Sequence, residues 1–202
     1  PDRKVIFLGD FIDRGPEQRG VIDVVRPMIE SGAALSVMGN HEFNAIAYFT
    51  ENPDAPGEYL RCHNEKNQKQ HRAFLEAYEG ADDYADVIEW FRTLPLWLEL
   101  DGLRVVHACW DDKLVNYLRR QYPRVKTYLD DDLLVRASRP SEMEYRAVET
   151  LLKGKEISLP EDQSFSDKDC NPRHEFRVKW WDANPNTYRS AFLGPDSALS
   201  HI

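Results

Sequence analysis

Cysteine is scarce in this chain: there are three, Cys62, Cys109 and Cys170, and no C-x-x-C pair among them. That odd count and spacing argue against a disulfide scaffold or a thiolate zinc site and fit a reducing cytoplasm. Long apolar runs are missing as well. Nothing approaches the ~18 residues a membrane span requires, and PDRK leads straight into a short strand-like run, so neither a membrane nor a secretory leader is expected. Positive charge is in deficit, with 26 Lys and Arg against 35 Asp and Glu and a formal net charge of −9. Such a balance disfavours a stable nucleic-acid partner while leaving room for a small anion in a locally positive pocket. Internal repeats and low-complexity segments are absent too.

What is present is an ordinary globular composition, 42% hydrophobic and 30% charged over 202 residues, most simply one domain with its own core. The first hundred residues alternate strand and helix. Residues 5–8 (VIFL) read as a buried strand, and 33–38 as the next. Between them Pro16 suits a first helical turn, with Val21, Ile22, Val24, Val25, Met28 and Ile29 as the apolar stripe. A helix opening near His41 or Glu42 runs to about Thr50, and 51–57 (ENPDAPG) is a loop. Residues 59–78 read as one long polar helix and 84–92 as another. A strand pair turns at Asp101-Gly102. Beyond Trp110 the pattern is mostly helical: a helix over about 113–121, another over 141–153 with Ser141 and Glu144 spaced as a capping box, and a mobile loop over 154–171. Residues 176–182 and 186–192 resume ordered structure.

Three apolar runs finish in polar residues able to bind a cation: 5–8 leads to Asp10, 33–38 to Asn40, and 103–106 to His107. Ligands of α/β sheets gather at the carboxyl ends of strands, and a carboxylate, an amide oxygen and an imidazole make a mixed O/N metal site. Gly9 and Gly39 let the backbone turn sharply beside them. Taken singly, an Asp after a strand is a turn or cap residue, and a strand-ending His is a satisfied core histidine. The joint pattern is GDFIDRG at 9–15, GNHE at 39–42, then the strand-ending His107.

That set resembles the calcineurin-like metallophosphoesterases, most closely the branch of serine/threonine protein phosphatases and diadenosine tetraphosphatases. GDFIDRG and GNHE look like two of that superfamily's motifs, and residues 90–110 are similar to its later segment, where a Leu-Pro strand pair precedes a metal-binding His. The resemblance runs from about residue 3 to 110. It implies the α/β/β/α sandwich of that superfamily in a single domain over 1–202, with a helical insertion at about 111–175. It also implies two divalent metal ions, manganese first, with iron, zinc, cobalt or nickel as alternatives. Asp10 would bridge the metals, Asn40 and His107 would ligate one of them, His41 would be the general acid, Asp13 would orient His41, and Arg14 would hold the phosphate.

The chemistry of these groups agrees with those roles. Two cations sharing a carboxylate lower the pKa of a water between them. A His with a carboxylate partner stays protonated more readily near neutral pH, ready to give a proton to the leaving oxygen. A guanidinium fork matches two phosphate oxygens. Glu42 reads equally as a helix N-terminal acid and as a support for the metal ligands.

The resemblance also implies an Asp-x-His motif ahead of GDFIDRG and a late Gly-His pair. Neither occurs here, and His174 and His201 read as ordinary loop and tail residues. With no Met at position 1, the expectation is a chain truncated at both ends, weak or inert by itself, with an active parent. The expected activity is metal-dependent hydrolysis of phosphate monoesters or nucleotide polyphosphates. Its substrate would be a phosphorylated protein or a small phosphorylated or nucleotide molecule. The alternatives are a non-catalytic binding module on a decayed phosphatase fold and, less favoured by the acidic balance, a nuclease.

Other features read as structural. His63 and His71, eight residues apart and roughly 12 Å along a helix, read as a solvated face. Lys66, Asn67 and Arg72 on that face are candidates to border a substrate pocket. The acidic run 130–132 reads as solvated surface, Cys109 as packed near the site, and Trp180-Trp181 as core in preference to a nucleobase platform.

Overall fold

The structure, a computed structural model, describes residues 3–161, 163–166, 172–182 and 184–194. Cys170 and His201 lie outside them. The chain divides into two compact units, 1–152 and 153–202.

The first unit begins with β1 (Val5–Phe7), α1 (Gln18–Glu30), β2 (Ala34–Ser36) and α2 (Asn40–Phe49). The strands β1 and β2 are parallel, with Val5 opposite Ala34 and Phe7 opposite Ser36, so α1 is the crossover of a βαβ unit. That parallel register brings the ends of β1 and β2 side by side, and the two glycine-containing loops leave from the same place. Among the described residues β1 pairs on one side only, which leaves Val5 46% and Leu8 51% exposed; the fully buried strand expected there is half-exposed. The helix α1 starts at Gln18, two residues past Pro16, and buries Ile22 and Val25 but not Val24, which is 60% exposed.

Two further helices, α3 (Glu65–Tyr78) and α4 (Tyr84–Arg92), lead into the antiparallel pair β3 (Trp97–Leu100) and β4 (Leu103–Val106). The long helix expected from residue 59 starts instead at Glu65. Asn64 caps it, its side chain accepting from Asn67 N–H at 2.9 Å, so His63 is outside the helix. His63 stacks between Tyr48 and Tyr59, with ring centroids 3.8 and 4.0 Å away.

Three helices follow: α5 (Asp112–Gln121), α6 (Asp131–Ala137) and α7 (Met143–Lys153). The acidic run 130–132 is a helix start. Asp130 accepts from Leu133 N–H at 2.9 Å, and Asp131 pairs with Arg92 at 2.7 Å. The capping box expected of Ser141 and Glu144 is not made: Glu144 Oε1 accepts from the hydroxyls of Tyr117 at 2.8 Å and Tyr122 at 2.9 Å, and Oε2 is buried without a hydrogen-bond partner. The core of this unit is centred on Ile12, Met38, Ile46, Phe74, Phe91, Leu96 and Trp97, with Leu118, Leu133, Leu134 and Leu151 extending it under the three later helices.

Among its described residues the second unit holds four short strands, the first two of them where a mobile loop is expected over 154–171. In order they are β5 (Glu156–Ser158), β6 (Phe165–Ser166), β7 (Pro172–Arg173) and β8 (Glu175–Arg177), then α8 (Tyr188–Ala191). The strands pair antiparallel as β5 with β8 and β6 with β7 over a small core of Leu159, Phe176, Ala191 and Phe192. Trp180 and Trp181 are not in that core. They are 37% and 59% exposed and meet edge to face at 5.7 Å. His174, between β7 and β8, is exposed. No helix among the described residues is long and apolar enough to cross a membrane.

Candidate active site

The two glycine loops meet backbone to backbone. Gly9 has φ +79°, and a Cβ there would sit 2.2 Å from Gly39 N; a Cβ on Gly39 would sit 2.4 Å from both Asp10 N and Asp10 Oδ1. Only glycine fits either position. Glu42, fully buried, ties the loops together: its carboxylate accepts from Gly39 N–H at 2.9 Å, Asp10 N–H at 2.8 Å and Phe11 N–H at 2.7 Å. Burial pushes the Glu42 carboxyl up, and the three backbone donors oppose that shift without cancelling it. Of the two sequence readings of Glu42, a helix N-terminal acid and a support for the site, the geometry contains both.

Asp10 and Asp13 are non-glycine residues with positive φ, 58° and 71°. Asp tolerates this region better than most residues, yet each still stores local strain that the loop must hold. Gln18, buried at the start of α1, does the holding. Its Oε1 accepts from Asp13 N–H at 2.8 Å while its Nε2 donates to the carbonyls of Arg14 at 3.1 Å and Gly15 at 2.9 Å. Sequence reasoning passed over Gln18; its signal is a long amide placed where a turn must be closed.

The side chains of Asp10, His107 and His41 converge. Asp10 Oδ1 lies 3.5 Å from His107 Nε2, and Asp10 Oδ2 lies 3.9 Å from His41 Nε2. Asp10 Oδ1 also accepts from His41 N–H at 3.3 Å, so Asn40, the first residue of α2, sits in the backbone that wraps Asp10. His107, one residue past β4, donates Nδ1–H to the Leu8 carbonyl at the end of β1. A carbonyl can only accept, so Nδ1 carries a proton there and Nε2 is the ring atom turned to the Asp10 carboxylate. A carboxylate oxygen and an imidazole nitrogen at this separation can share a cation. Ligands ~2.1 Å from one ion stand about 3.0–3.5 Å apart, which is this separation. Asp10 and His107 therefore fit a shared divalent ion. No group of three or more His, Cys, Asp or Glu converges as a metal centre among the described residues, so the fit extends to this pair beside Asn40.

His41 and Asp13 form the other half. His41 Nδ1 donates to Asp13 Oδ2 at 2.6 Å, with the two side chains 7% and 1% exposed. Burial pulls the His41 imidazole down, but the Asp13 hydrogen bond and the charges of Asp10, Asp13 and Glu42 outweigh it, and the ring titrates above its ordinary 6.5. Burial pushes Asp13 up, and hydrogen bonds from His41 and His71 more than reverse that, holding the carboxyl below its ordinary 3.8. Arg14, the next residue, is exposed on the same turn and makes no ion pair among the described residues.

His71 was read from the sequence as part of a solvated face. It is 2% exposed, and its Nδ1 lies 2.6 Å from both oxygens of Asp13. The polar residues around it suggested solvent; Phe74, Leu75 and Tyr78 at helical spacing carried the contrary signal. Lys66 is exposed, while Asn67 is spent on the turn before α3, donating to the Cys62 carbonyl at 2.8 Å. Arg72 lines a groove of about 600 Å³ with Tyr48, Gln68 and Lys69. Cys109 is buried two residues beyond His107.

Comparison with known proteins agrees with this geometry. The family model for calcineurin-like phosphoesterase matches residues 1–159, and the chain belongs to that family. It is 31% identical over 102 residues to a symmetrical bis(5'-nucleosyl)-tetraphosphatase of Ralstonia nicotianae, covering 50% of this chain and 31% of that protein. It is 26% identical over 138 residues to the asymmetrical bis(5'-nucleosyl)-tetraphosphatase PrpE of Oceanobacillus iheyensis, covering 63% of this chain and 49% of the relative. With the PrpE of Geobacillus thermodenitrificans the identity is 30% over 138 residues, 64% of this chain and 51% of the relative. The chain thus spans between about a third and a half of the length of these curated relatives.

Proposed function

We propose that this chain carries the catalytic half-site of a metal-dependent phosphoesterase that hydrolyses phosphate monoesters or nucleotide polyphosphates, the activity for which its relatives are named favouring dinucleoside tetraphosphates. The observation that carries the reading is the approach of His107 Nε2 to Asp10 Oδ1 at 3.5 Å, beside a buried His41–Asp13 hydrogen bond of 2.6 Å.

Asp10, Asn40 and His107 hold the cation side in this reading. When bound, two divalent ions supply positive charge that acidifies water and offsets charge developing on the phosphoryl group. Arg14 orients two phosphate oxygens from the exposed turn. His41 keeps its Nδ1 proton on Asp13 and gives a proton from Nε2 to the leaving oxygen, the Asp13 hydrogen bond favouring the charged imidazole. Manganese is the first choice of metal on the family resemblance, with iron, zinc, cobalt or nickel as alternatives that a mixed oxygen and imidazole ligand set also suits. The α/β/β/α sandwich, a single domain over 1–202 and a cytoplasmic location belong to the same reading, the last supported by the scarcity of cysteine and the lack of a C-x-x-C pair.

The test is phosphate release by the full-length protein with Mn²⁺ from p-nitrophenyl phosphate, a phosphopeptide and diadenosine tetraphosphate. His41→Ala is expected to lower kcat about 10²-fold or more with metal still bound, and His107→Ala to weaken metal binding in calorimetry. Unchanged biological output in His41→Ala, with no phosphate released by the wild type, would favour the non-catalytic binding module instead.

A further inference from the structure

Asp13 is gripped by two imidazoles, and the proposed chemistry uses only one. His41 reaches Oδ2 from α2; His71 reaches both oxygens at 2.6 Å from α3, 58 residues along the chain from Asp13. All three side chains are almost wholly buried, at 7%, 2% and 1% exposure for His41, His71 and Asp13. The His71 ring is itself fixed, edge-on to Tyr48 at 5.6 Å and tilted against Phe74 at 5.7 Å. Its Nε2 is buried with no hydrogen-bond partner.

We infer that His71 is a positioning residue: it locks the Asp13 carboxylate in the rotamer that meets His41 Nδ1, and so aims His41 Nε2 into the site. Two observations separate this role from packing. An imidazole with an unpartnered buried nitrogen is a poor filler, because an apolar side chain fills such a site without desolvating a polar atom. The contact is also made to the carboxylate that His41 depends on, whose backbone is held at a strained φ of 71°. Gln18 fixes the Asp13 backbone; His71 fixes its side chain. An unlocked carboxylate lets His41 swing, and small misplacements of a reacting group are felt steeply in rate.

The inference rests on the phosphoesterase reading, and its test has an arm that does not. In the full-length protein with Mn²⁺, His71→Phe keeps a planar aromatic ring, somewhat larger, and removes the donor, while His71→Asn restores an amide N–H near the position of Nδ1. The expected result is a kcat lowered about 10-fold or more in His71→Phe with KM changed less than about 2-fold, and most of that kcat recovered in His71→Asn. A packing role predicts the reverse order, and Phe outperforming Asn overturns the inference. The second arm is proton NMR of the imidazole N–H groups. Protected resonances of both His41 and His71 are expected in the wild type, with the His41 signal kept in His71→Asn and lost to exchange in His71→Phe. A missing His71 resonance, or a His41 signal indifferent to His71→Phe, overturns it whether or not phosphate is released. A wild type that turns over no phosphoester brings down the functional reading alone. Should His71→Phe not fold, the wild-type spectrum and the kcat of His71→Asn decide.

Discussion

Glu42 is one carboxylate with three backbone donors and no contact with water. Replacing it by Ala leaves Gly39, Asp10 and Phe11 N–H groups buried without an acceptor. At about 1–3 kcal/mol for each orphaned donor, and with some relaxation, Glu42→Ala is expected to lose roughly 3 kcal/mol or more in urea unfolding. Glu42→Gln keeps an acceptor and is expected to lose less; equal losses for the two would mean that the clamp is not what holds the loops. Residues of this kind show how far the sequence could be read. Asp10, Asp13, Asn40, His41 and His107 stood out because they follow apolar runs in motifs that resemble a known family, and the structure brings Asp10, Asp13, His41 and His107 close together. Gln18 and His71 did not, because their work is done on another residue's side chain or turn, and no local pattern records such a contact.

At the scale of elements, periodicity and turn chemistry located α1, α2, α4, α5 and the β3–β4 hairpin to within a few residues. Where the reading fell short, a polar residue had a second use. The acidic run 130–132 is the solvated surface it looked like, Asp131 and Asp132 being exposed, and its first residue serves in addition as the cap of α6. Glu144 looked like half of a capping box and instead turns inward to two tyrosines. That choice has a measurable sign. Burial pushes the Glu144 carboxyl up, but the Tyr117 and Tyr122 hydroxyls and the Arg136 guanidinium hold it below its ordinary 4.5 in the folded protein. On acidification the unfolded chain takes up this proton first, so the contribution is complete above about pH 4.5 and is lost as pH falls through the folded value. Glu144→Gln is expected to cost about 1–3 kcal/mol at pH 7 and to flatten the fall in stability as the pH drops below the ordinary carboxylate value of 4.5. An unaltered pH slope in denaturant titrations would refute it.

At the scale of the molecule, the two units differ in how they can be held together. Residues 1–152 carry an extended core of aromatic and branched side chains, whereas 153–202 bury only Leu159, Phe176, Ala191 and Phe192 among the described residues. So small a core falls short of what independent folding requires. A polypeptide of residues 1–152 is expected to unfold cooperatively by circular dichroism, and one of residues 153–202 to lack a transition; a cooperative melt of the latter would contradict this. The sequence offered little about the second unit because its strands are two or three residues long, too short for an alternating pattern to emerge.

The clamp at position 42 also bears on redesign. Because Gly9 and Gly39 leave no space for a methyl group between their strands' ends, and one acid grips both turns, GDFIDRG and GNHE behave as a single casting and not as two interchangeable inserts. A graft that imports either motif from a relative without its mate should arrive misshapen, while a graft of both together has the means to keep its form.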